Sequence, residues 1–579
     1  MAQISMNAYD ADVFIPEFKG LMQYGDQMGT DLRYSPDCMN VETPSGVLQP
    51  SSLPKDIELC TNSDGTGTID PADACTLIVC RCTVFGAQPL MSNYYWAKIP
   101  PYPAQRFAMQ IPPNNETDNY IVIIGNKLYL ARLPVDLVGI MYGTQVTHDM
   151  IVKIEMNIAY TFTYEDNWSW CTYEVDYGEP GPHDPPGSPS GRTNVVIMTS
   201  EKNGIFCFNG ATIDSISNVP TSFRHVARFA ERIWGVGVGE NKDCIYYSRP
   251  YSFTNWSQDN DDPANGGGEI REATFDKDRI LALVPFGDSL IAFSEQRAWK
   301  ITGSDPSNFT IQEQYGNGTR FPKSIGVLGN RIIMLSEHGL VSYDGYQVSP
   351  FLKEATYEML REPQLNKENG FGLAVGAVTN HKYILTLGNR LKYASSAVSN
   401  NDYRYLIFDE LDGTTLVTES PYITDLCADF PGMCGLIYNS ESKMGLIKMR
   451  FDSWYLNDTF HSRTKWVSPW ITFGRKDIQK GGFELYLYPE LERHDDSTAE
   501  GVTFKITIET EKKSKVKYYR ALYNEQGKYK QKRLHFGGAG RRFRVTIETG
   551  ESADGSAETN LPAWRLIGGI HIIAETDKD

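Results

Sequence analysis

The sequence predicts an all-β protein: a β-propeller of about six to eight blades with a C-terminal β-sandwich-like domain. Three observations carry that expectation. The 579 residues include 50 Gly, 31 Pro and 12% aromatic side chains, a balance suited to short strands joined by tight turns. One local theme recurs: a Gly or Asn turn, four to six apolar residues, a polar turn and a second short strand. Beyond Trp470 that theme gives way to strands that largely alternate apolar and polar residues with period two.

The theme runs through Gly125-NKLYLARL, Asn203-GIFCFNGATI, Glu231-RIWGVGVGENKDCIYYSR, Gly287-DSLIAFSEQRAWKI, Gly329-NRIIMLSEHGLVSYDG, Asn380-HKYILTLGNR and Gly435-LIYNSESKMGLIKMR. Anchors at 231, 287, 329, 380 and 435 stand 56, 42, 51 and 55 residues apart, the footprint of hairpin-built blades. Blade strands pack on both faces, which accounts for unbroken apolar runs such as Ile332-IML. WD dipeptides, S-x-D-x-G boxes and kelch-type double glycines at the blade period are missing. Residues 1–85 read as an extended or β segment leading into the propeller, 86–470 as the propeller, and 471–579 as an antiparallel β domain. Gly482-FELYLY, Gly501-VTFKITIET, Arg542-FRVTIET and Trp564-RLIGGIHIIAE are the strands of that last domain. Helical patterning is sparse, with one candidate at Phe351-LKEATYEMLREPQ. A Pro- and Gly-rich insertion at 176–193 and a polar loop at 257–272 interrupt the repeat.

No run of 18 apolar residues exists, so no membrane-spanning helix is expected, and the N-terminus shows no secretory pattern. The net charge of −17 argues against general coating of nucleic acid. Ten scattered cysteines and nine histidines fall in no zinc spacing, so the cysteines read as reduced and mostly buried.

Motifs of catalysis are missing: no G-x-S-x-G, H-E-x-x-H, G-x-x-x-x-G-K-[ST] or helix-opening G-x-G-x-x-G. The glycines of Trp234-GVGVGENK lie in a strand pattern and fit close packing between strands better than a nucleotide. Asp259, Asp261, Asp262 and Glu269 offer hard oxygen ligands, but Pro263 and Gly266-GG break the register of a calcium loop, leaving a solvated acidic turn. Asn62-SDGTGTID reads the same way. His225 and His338 lie in or beside strand patterns, where a satisfied polar role is expected. Trp96, Trp168, Trp170, Trp234 and Trp256 would serve a sugar only if exposed, and large aromatics in a β protein belong first to its core. No catalytic residue, metal site or cofactor is assigned, and no enzymatic activity is expected.

The most unusual charge feature lies between residues 512 and 544. Twelve of the 55 basic residues fall there: Lys512, Lys513, Lys515, Lys517, Arg520, Lys528, Lys530, Lys532, Arg533, Arg541, Arg542 and Arg544. Glu525 alone opposes them, so the stretch carries +11 and the remainder of a −17 chain carries −28. Tyr518, Tyr519, Tyr523 and Tyr529 interleave. Such a segment is either a solvated hairpin or an electrostatic dock for an acidic neighbour, and a second copy of the chain ranks above nucleic acid because the rest of the molecule repels phosphate.

Three stretches together resemble the propeller proteins of tailed-bacteriophage tail hubs and nozzles. Phe18-KGLMQYGDQ followed by Asn40-VETPSGVLQP is similar to their opening, a short F-x-G-L segment before an N-x-x-x-x-x-G-x-L turn. Phe229-AERIWGVGVGENKDCIYYSRPYSFTNW resembles their blade signature, and Gly540-RRFRVTIET with Leu566-IGGIHIIAE their terminal β domain. The insertion at 176–193 is not part of that pattern. The resemblance implies a structural virion protein forming a ring, sixfold in such assemblies, around the DNA exit channel. Its implied partners are copies of itself, adjoining tail or connector proteins and fibres, and genomic DNA in passage. Its implied location is the virion tail, with the host cytoplasm during assembly. A receptor- or glycan-binding tail protein, and then a propeller glycosidase or depolymerase, are the other functions such a fold could serve.

Overall fold

Short apolar strands separated by two-residue turns pair with their sequence neighbours, and in the computed structural model they build successive antiparallel meanders. The structure describes residues 3–6, 10–23, 31–51, 55–60, 75–83, 116–132, 152–176, 192–209, 212–271, 278–352, 374–379, 381–386, 403–411, 413–420, 422–429, 432–438, 444–449, 463–472, 480–492, 501–522, 532–558 and 561–576. The candidate helix after Phe351, the loop Asn62-SDGTGTID and most of the 176–193 insertion lie outside these residues.

Seven four-stranded meanders form among the described residues, making a propeller with a C-terminal sandwich. Blade 1 comprises Cys75–Thr83, Glu116–Ile124, Lys127–Arg132 and Val152–Thr161. Blade 2 runs from Ser169 to Ser215, blade 3 from Phe223 to Ile270, blade 4 from Ile280 to Gln314, blade 5 from Gly326 to Pro350, and blade 6 from Gly376 to Ser420. Blade 7 takes Tyr422–Asp429, Gly432–Tyr438 and Met444–Met449 from late in the chain, and its fourth strand, Lys55–Cys60, from near the start. First strands lie against one another between blades 2 and 3, 3 and 4, 5 and 6, and 6 and 7; blades 4 and 5 share a buried cluster, the first strand of blade 1 meets the second of blade 2, and the first strand of blade 7 meets that of blade 1, closing the circle. A parallel pairing of Ile57 with Val152 ties the outermost strands of blades 7 and 1 together. Closure with strands from both ends of the sequence removes the free edge that an open sheet would present.

The turn between first and second strands explains the spacing seen in the sequence. Residues 230–231, 287–288 and 329–330 each join the first two strands of a blade, and the link from Thr379 to Lys382 does so in blade 6, so four of the five anchors fall at one structural position, whereas 125–126 joins the second and third strands of blade 1. Gly435 does not; it lies inside the second strand of blade 7, which begins at Gly432. Gly125, Gly287 and Gly329 take left-handed φ near 59°, 59° and 56° at the first turn position. Blade 3 meets the same need without glycine: Ala230 and Glu231 have φ of 48° and 59°, and the Glu231 carbonyl accepts the Tyr173 hydroxyl at 2.8 Å and the Tyr251 amide at 2.9 Å.

The sandwich pairs a five-stranded sheet, ordered Gln3–Met6, Asp10–Ile15, Ile570–Thr576, Lys480–Leu487, Lys532–Gly540, with a four-stranded one, ordered Thr464–Val467, Phe543–Thr549, Gly501–Thr510, Ser514–Leu522. Alternate residues bury between the sheets, Phe483 meeting Phe543 at 4.9 Å between ring centroids. The first fifty residues therefore do not simply lead into the propeller: Asp10–Ile15 pairs with Ile570–Thr576, and Thr464–Val467 joins the sandwich before residue 471. Pairing over more than five hundred residues leaves no local pattern from which to read it.

Propeller and sandwich share one apolar core. Val13, Phe18, Trp466 and Ile547 belong to the same buried cluster as Leu335 and Leu340 of blade 5 and Tyr383, Leu385 and Leu406 of blade 6. Backbone bonds reinforce it, the Leu21 amide reaching the Thr414 carbonyl at 2.6 Å and Asn40 that of Leu416 at 3.0 Å. Gly20 has no room for a side chain, since a Cβ there would lie 2.2 Å from the Thr414 carbonyl oxygen.

Candidate interaction surface

The basic segment folds as the last strand of each sandwich sheet. Among the described residues, Ser514–Leu522 pairs only with Gly501–Thr510 in its sheet, Lys532–Gly540 only with Lys480–Leu487 in the other, and the two edges lie side by side. Inward positions of the two strands, Tyr519 and Phe536, are buried and cap the sandwich. Lys517 lays its ammonium 5.6 Å from the Phe536 ring centre, and Lys532 lies 4.7 Å from that of Tyr519. Each strand thus lends a lysine to the other strand's aromatic ring, and Lys515, Lys517 and Lys532 are exposed.

At one end, the turn carrying Lys512 and Lys513 meets the turn carrying Arg541 and Arg542, because Glu511 accepts the amides of Arg541 at 3.2 Å and Arg542 at 3.0 Å. Three cations of the segment are matched within the domain. Arg533 pairs with Glu484, whose carboxyl is held below its ordinary value by the Arg533 guanidinium and then the Tyr486 hydroxyl. Arg544 pairs with Glu509 at 2.7 Å, and Arg542 lies 3.8 Å from Glu511. Arg542 and Arg544 also stack on Trp470, at 4.7 and 5.0 Å from its ring centre. Lys512, Lys513, Lys515, Lys517, Arg520, Lys532 and Arg541 have no carboxylate within salt-bridge distance among the described residues. Lys528 and Lys530 lie outside the described residues, as do Tyr523 and Tyr529.

Other sequence candidates take structural roles. Asp259 accepts the amides of Asp261 and Asp262, both at 3.1 Å, and pairs with Arg249 at 3.0 Å, which closes the acidic loop on itself. No cluster of metal-ligating side chains occurs among the described residues. Trp168, Trp234 and Trp256 are buried and Trp170 half-buried, while Trp96 lies outside the described residues. His225 accepts the Leu283 amide at 3.3 Å, linking blades 3 and 4, and burial lowers its pKa to about 4. His338 sits in a turn, its amide donating to the Ser336 hydroxyl at 3.1 Å. A Cβ on Gly235 would lie 2.4 Å from the Phe223 ring, the close strand approach expected of those glycines. Cys38, Cys207, Cys244 and Cys427 are buried free thiols and Cys171 a partly buried one; burial pushes the thiols of Cys38 and Cys171 up to about 12.

Two features escaped sequence reasoning. A Ser-Glu pair ends the second strand of three blades, at 200–201, 294–295 and 336–337. Each serine hydroxyl accepts amides of the turn that follows, and each glutamate meets an arginine of a blade connection. Glu201 pairs with Arg224 and with Arg279 at 3.3 Å; Glu295 and Glu337 converge on Arg320 at 3.0 and 2.6 Å. Burial pushes the Glu201 carboxyl up, but the two guanidiniums outweigh it and hold the group below its ordinary value. The recurring dipeptide is a repeat signal that could have been found by aligning second-strand ends. The other is Arg232, buried with no carboxylate partner among the described residues: its Nη atoms donate to the carbonyls of Ser248, Ala264 and Gly266 at 2.8, 2.6 and 2.6 Å, folding the acidic loop against blade 3.

No family model and no curated protein matches this chain. Among solved structures it is similar to PorZ, a bacterial surface component of the type-IX secretion system of Porphyromonas gingivalis, at 10% identity and a TM-score of 0.28. That match covers 73% of this chain and 46% of PorZ, so the chain spans about half of PorZ's length. It is also similar to an exo-β-1,3-galactanase of Phanerochaete chrysosporium (9% identity, 60% and 94% coverage, TM-score 0.20) and to the Pan2 WD40 domain of Neurospora crassa (9%, 45% and 87%, 0.24). The propeller assignment rests on the strand pairing itself. No helix among the described residues is long and apolar enough to cross a membrane.

Proposed function

We propose that this chain is a structural virion protein of a tailed bacteriophage, a subunit that packs against copies of itself in a ring at the tail hub or nozzle around the DNA exit channel. The observation that carries the reading is charge segregation: cations without a carboxylate partner among the described residues gather on one sandwich edge of a molecule whose remaining charge is strongly negative. Head-to-tail packing in a ring joins two different patches, and opposite charges on one subunit suit such a contact. The residues that carry the resemblance are fold-holding ones: Phe18 and Gly20 at the propeller–sandwich junction, Arg232 and Trp234 in blade 3, and Ser248, whose hydroxyl accepts the Ile233 amide at 3.0 Å. A shared core makes propeller and sandwich one block, which the wall of a channel under mechanical strain requires. Mass spectrometry of purified particles of the source virus tests the reading. The polypeptide is expected in stoichiometric amount, and its absence would overturn the proposal.

One observation favours glycan or receptor binding as a second reading. Tyr315 and Tyr346 are 85% and 80% exposed, and Tyr315 bridges to Gln347, the residue after Tyr346. Bare aromatic faces stack on sugars. Glycan arrays that stay silent at millimolar ligand would count against it.

A further inference from the structure

We infer that the lysine-lined seam between the edge strands Ser514–Leu522 and Lys532–Gly540 is a docking surface for an acidic polypeptide face of a second copy of this chain, with Lys515, Lys517 and Lys532 as the contacting ammonium groups. The inference rests on the assembly reading above and adds the surface and the chemistry of its partner.

Geometry gives the first argument. Lys517 and Lys532 come from different sheets, yet each ammonium lies over an aromatic ring of the other's strand, Phe536 and Tyr519. Cations gathered on one edge with no carboxylate partner among the described residues gain from an anionic partner. The contrast with the rest of the chain is the second argument. Acidic residues outnumber basic ones, 72 to 55, and Arg33, Arg224, Arg249, Arg320, Lys465 and Lys505 each have a carboxylate partner. Seven cations along this edge and its turns without a carboxylate partner among the described residues are therefore not a consequence of scarce carboxylates.

The third argument concerns the edge itself. Ser514–Leu522 is the last strand of its sheet, and Lys515, Val516 and Lys517 are exposed in succession, so both faces of the strand are open there. Lysines on such a strand also keep it from pairing indiscriminately with other strands. Charge of either sign gives that protection, whereas docking on an acidic face requires positive charge. Charge reversal therefore separates the two roles. Nucleic acid fits less well, because phosphate approaching the seam must also approach a body of charge −28, the remainder after +11 is taken from −17. A second copy supplies the complementary charge.

The test uses the full-length chain. Unlabelled and nitrogen-15-labelled protein are mixed in equal amounts, joined with a zero-length carbodiimide reagent and digested for mass spectrometry. Cross-links between light and heavy peptides are expected from Lys515, Lys517 or Lys532 to Asp or Glu. In parallel, Lys515→Glu/Lys517→Glu/Lys532→Glu is compared with wild type by sedimentation at 0.1 M and 1 M salt, with circular dichroism as the folding control. Self-association is expected to weaken at least about tenfold in the variant at 0.1 M salt, and wild type is expected to lose the same contact at 1 M salt, where the Debye length is about 3 Å. Cross-links confined to single chains, together with equal association by variant and wild type, would overturn the inference. So would a variant that loses binding to a single-stranded oligonucleotide while associating normally. A chain present in particles whose reversed variant still assembles would refute the seam alone, whereas cross-copy links from a chain absent from particles would refute the virion reading alone.

Discussion

Replacing Phe18 with alanine should loosen the sandwich from the propeller while leaving the blades folded. Phe18 is 1% exposed and meets Trp466, itself fully buried, edge-to-face at 5.0 Å between ring centroids. Both belong to the cluster that continues into blades 5 and 6. Truncating a buried Phe costs about 3–5 kcal/mol, and the lost aromatic pair lies within that range. With a urea m-value of about 3 kcal/mol per molar, the sandwich midpoint should fall by roughly 1–2 M. Tryptophan fluorescence should show two transitions, the early one from Trp466 and Trp564 of the sandwich and the later one from Trp168, Trp234 and Trp256 of the propeller. Tyr315→Ala, at an 85% exposed position, serves as control and should shift the midpoint by less than about 0.5 kcal/mol equivalent. If Phe18→Ala unfolds in step with that control, the shared core does not hold the two bodies together.

Arg232→Met should strand the carbonyls of Ser248, Ala264 and Gly266, costing about 2–4 kcal/mol and exposing residues 257–265 to limited proteolysis; unchanged cleavage would show the arginine does not fold the loop. His225 is held neutral in the fold, its pKa lowered from 6.5 to about 4, so the unfolded chain takes up the extra proton and stability should fall as pH drops from 6.5 towards 4, by at most about 3 kcal/mol. His225→Gln should flatten that part of the pH–stability curve, and an identical slope in the variant would refute the assignment. Glu337→Gln removes one partner of Arg320 from a half-exposed cluster, so a loss of only about 0.5–1 kcal/mol is expected, measurable at low salt and vanishing at 1 M; a salt-independent loss would point to packing instead.

Much of the propeller is legible in the sequence because its contacts are local. The turns at 230–231, 287–288 and 329–330 sit between strands that pair with each other, as does the link from Thr379 to Lys382, so their spacing appears directly as a repeat. Alternation in Gly501–Thr510 and Phe543–Thr549 is equally local and marks the sandwich. Lys55–Cys60 and Asp10–Ile15 were illegible as members of blade 7 and of the sandwich because their partners, Met444–Met449 and Ile570–Thr576, lie at the far end of the chain. The charge run between 512 and 544 was visible as composition, but its division was not. Arg533, Arg542 and Arg544 find carboxylates at 484, 511 and 509, whereas Lys517 and Lys532 lie over rings at a seam that exists only once two sheets stack. Arg232 shows the same limit, since its partners are backbone carbonyls that no residue identity announces.

The central claim is that this chain forms a ring within a virion tail, and imaging of the assembled particle with the chain labelled tests it most directly. Label density is predicted as a closed ring on the tail axis, around the channel, with sandwich edges turned towards neighbouring subunits. Label at the distal tip or periphery as separate copies, or no label on the particle, would contradict it.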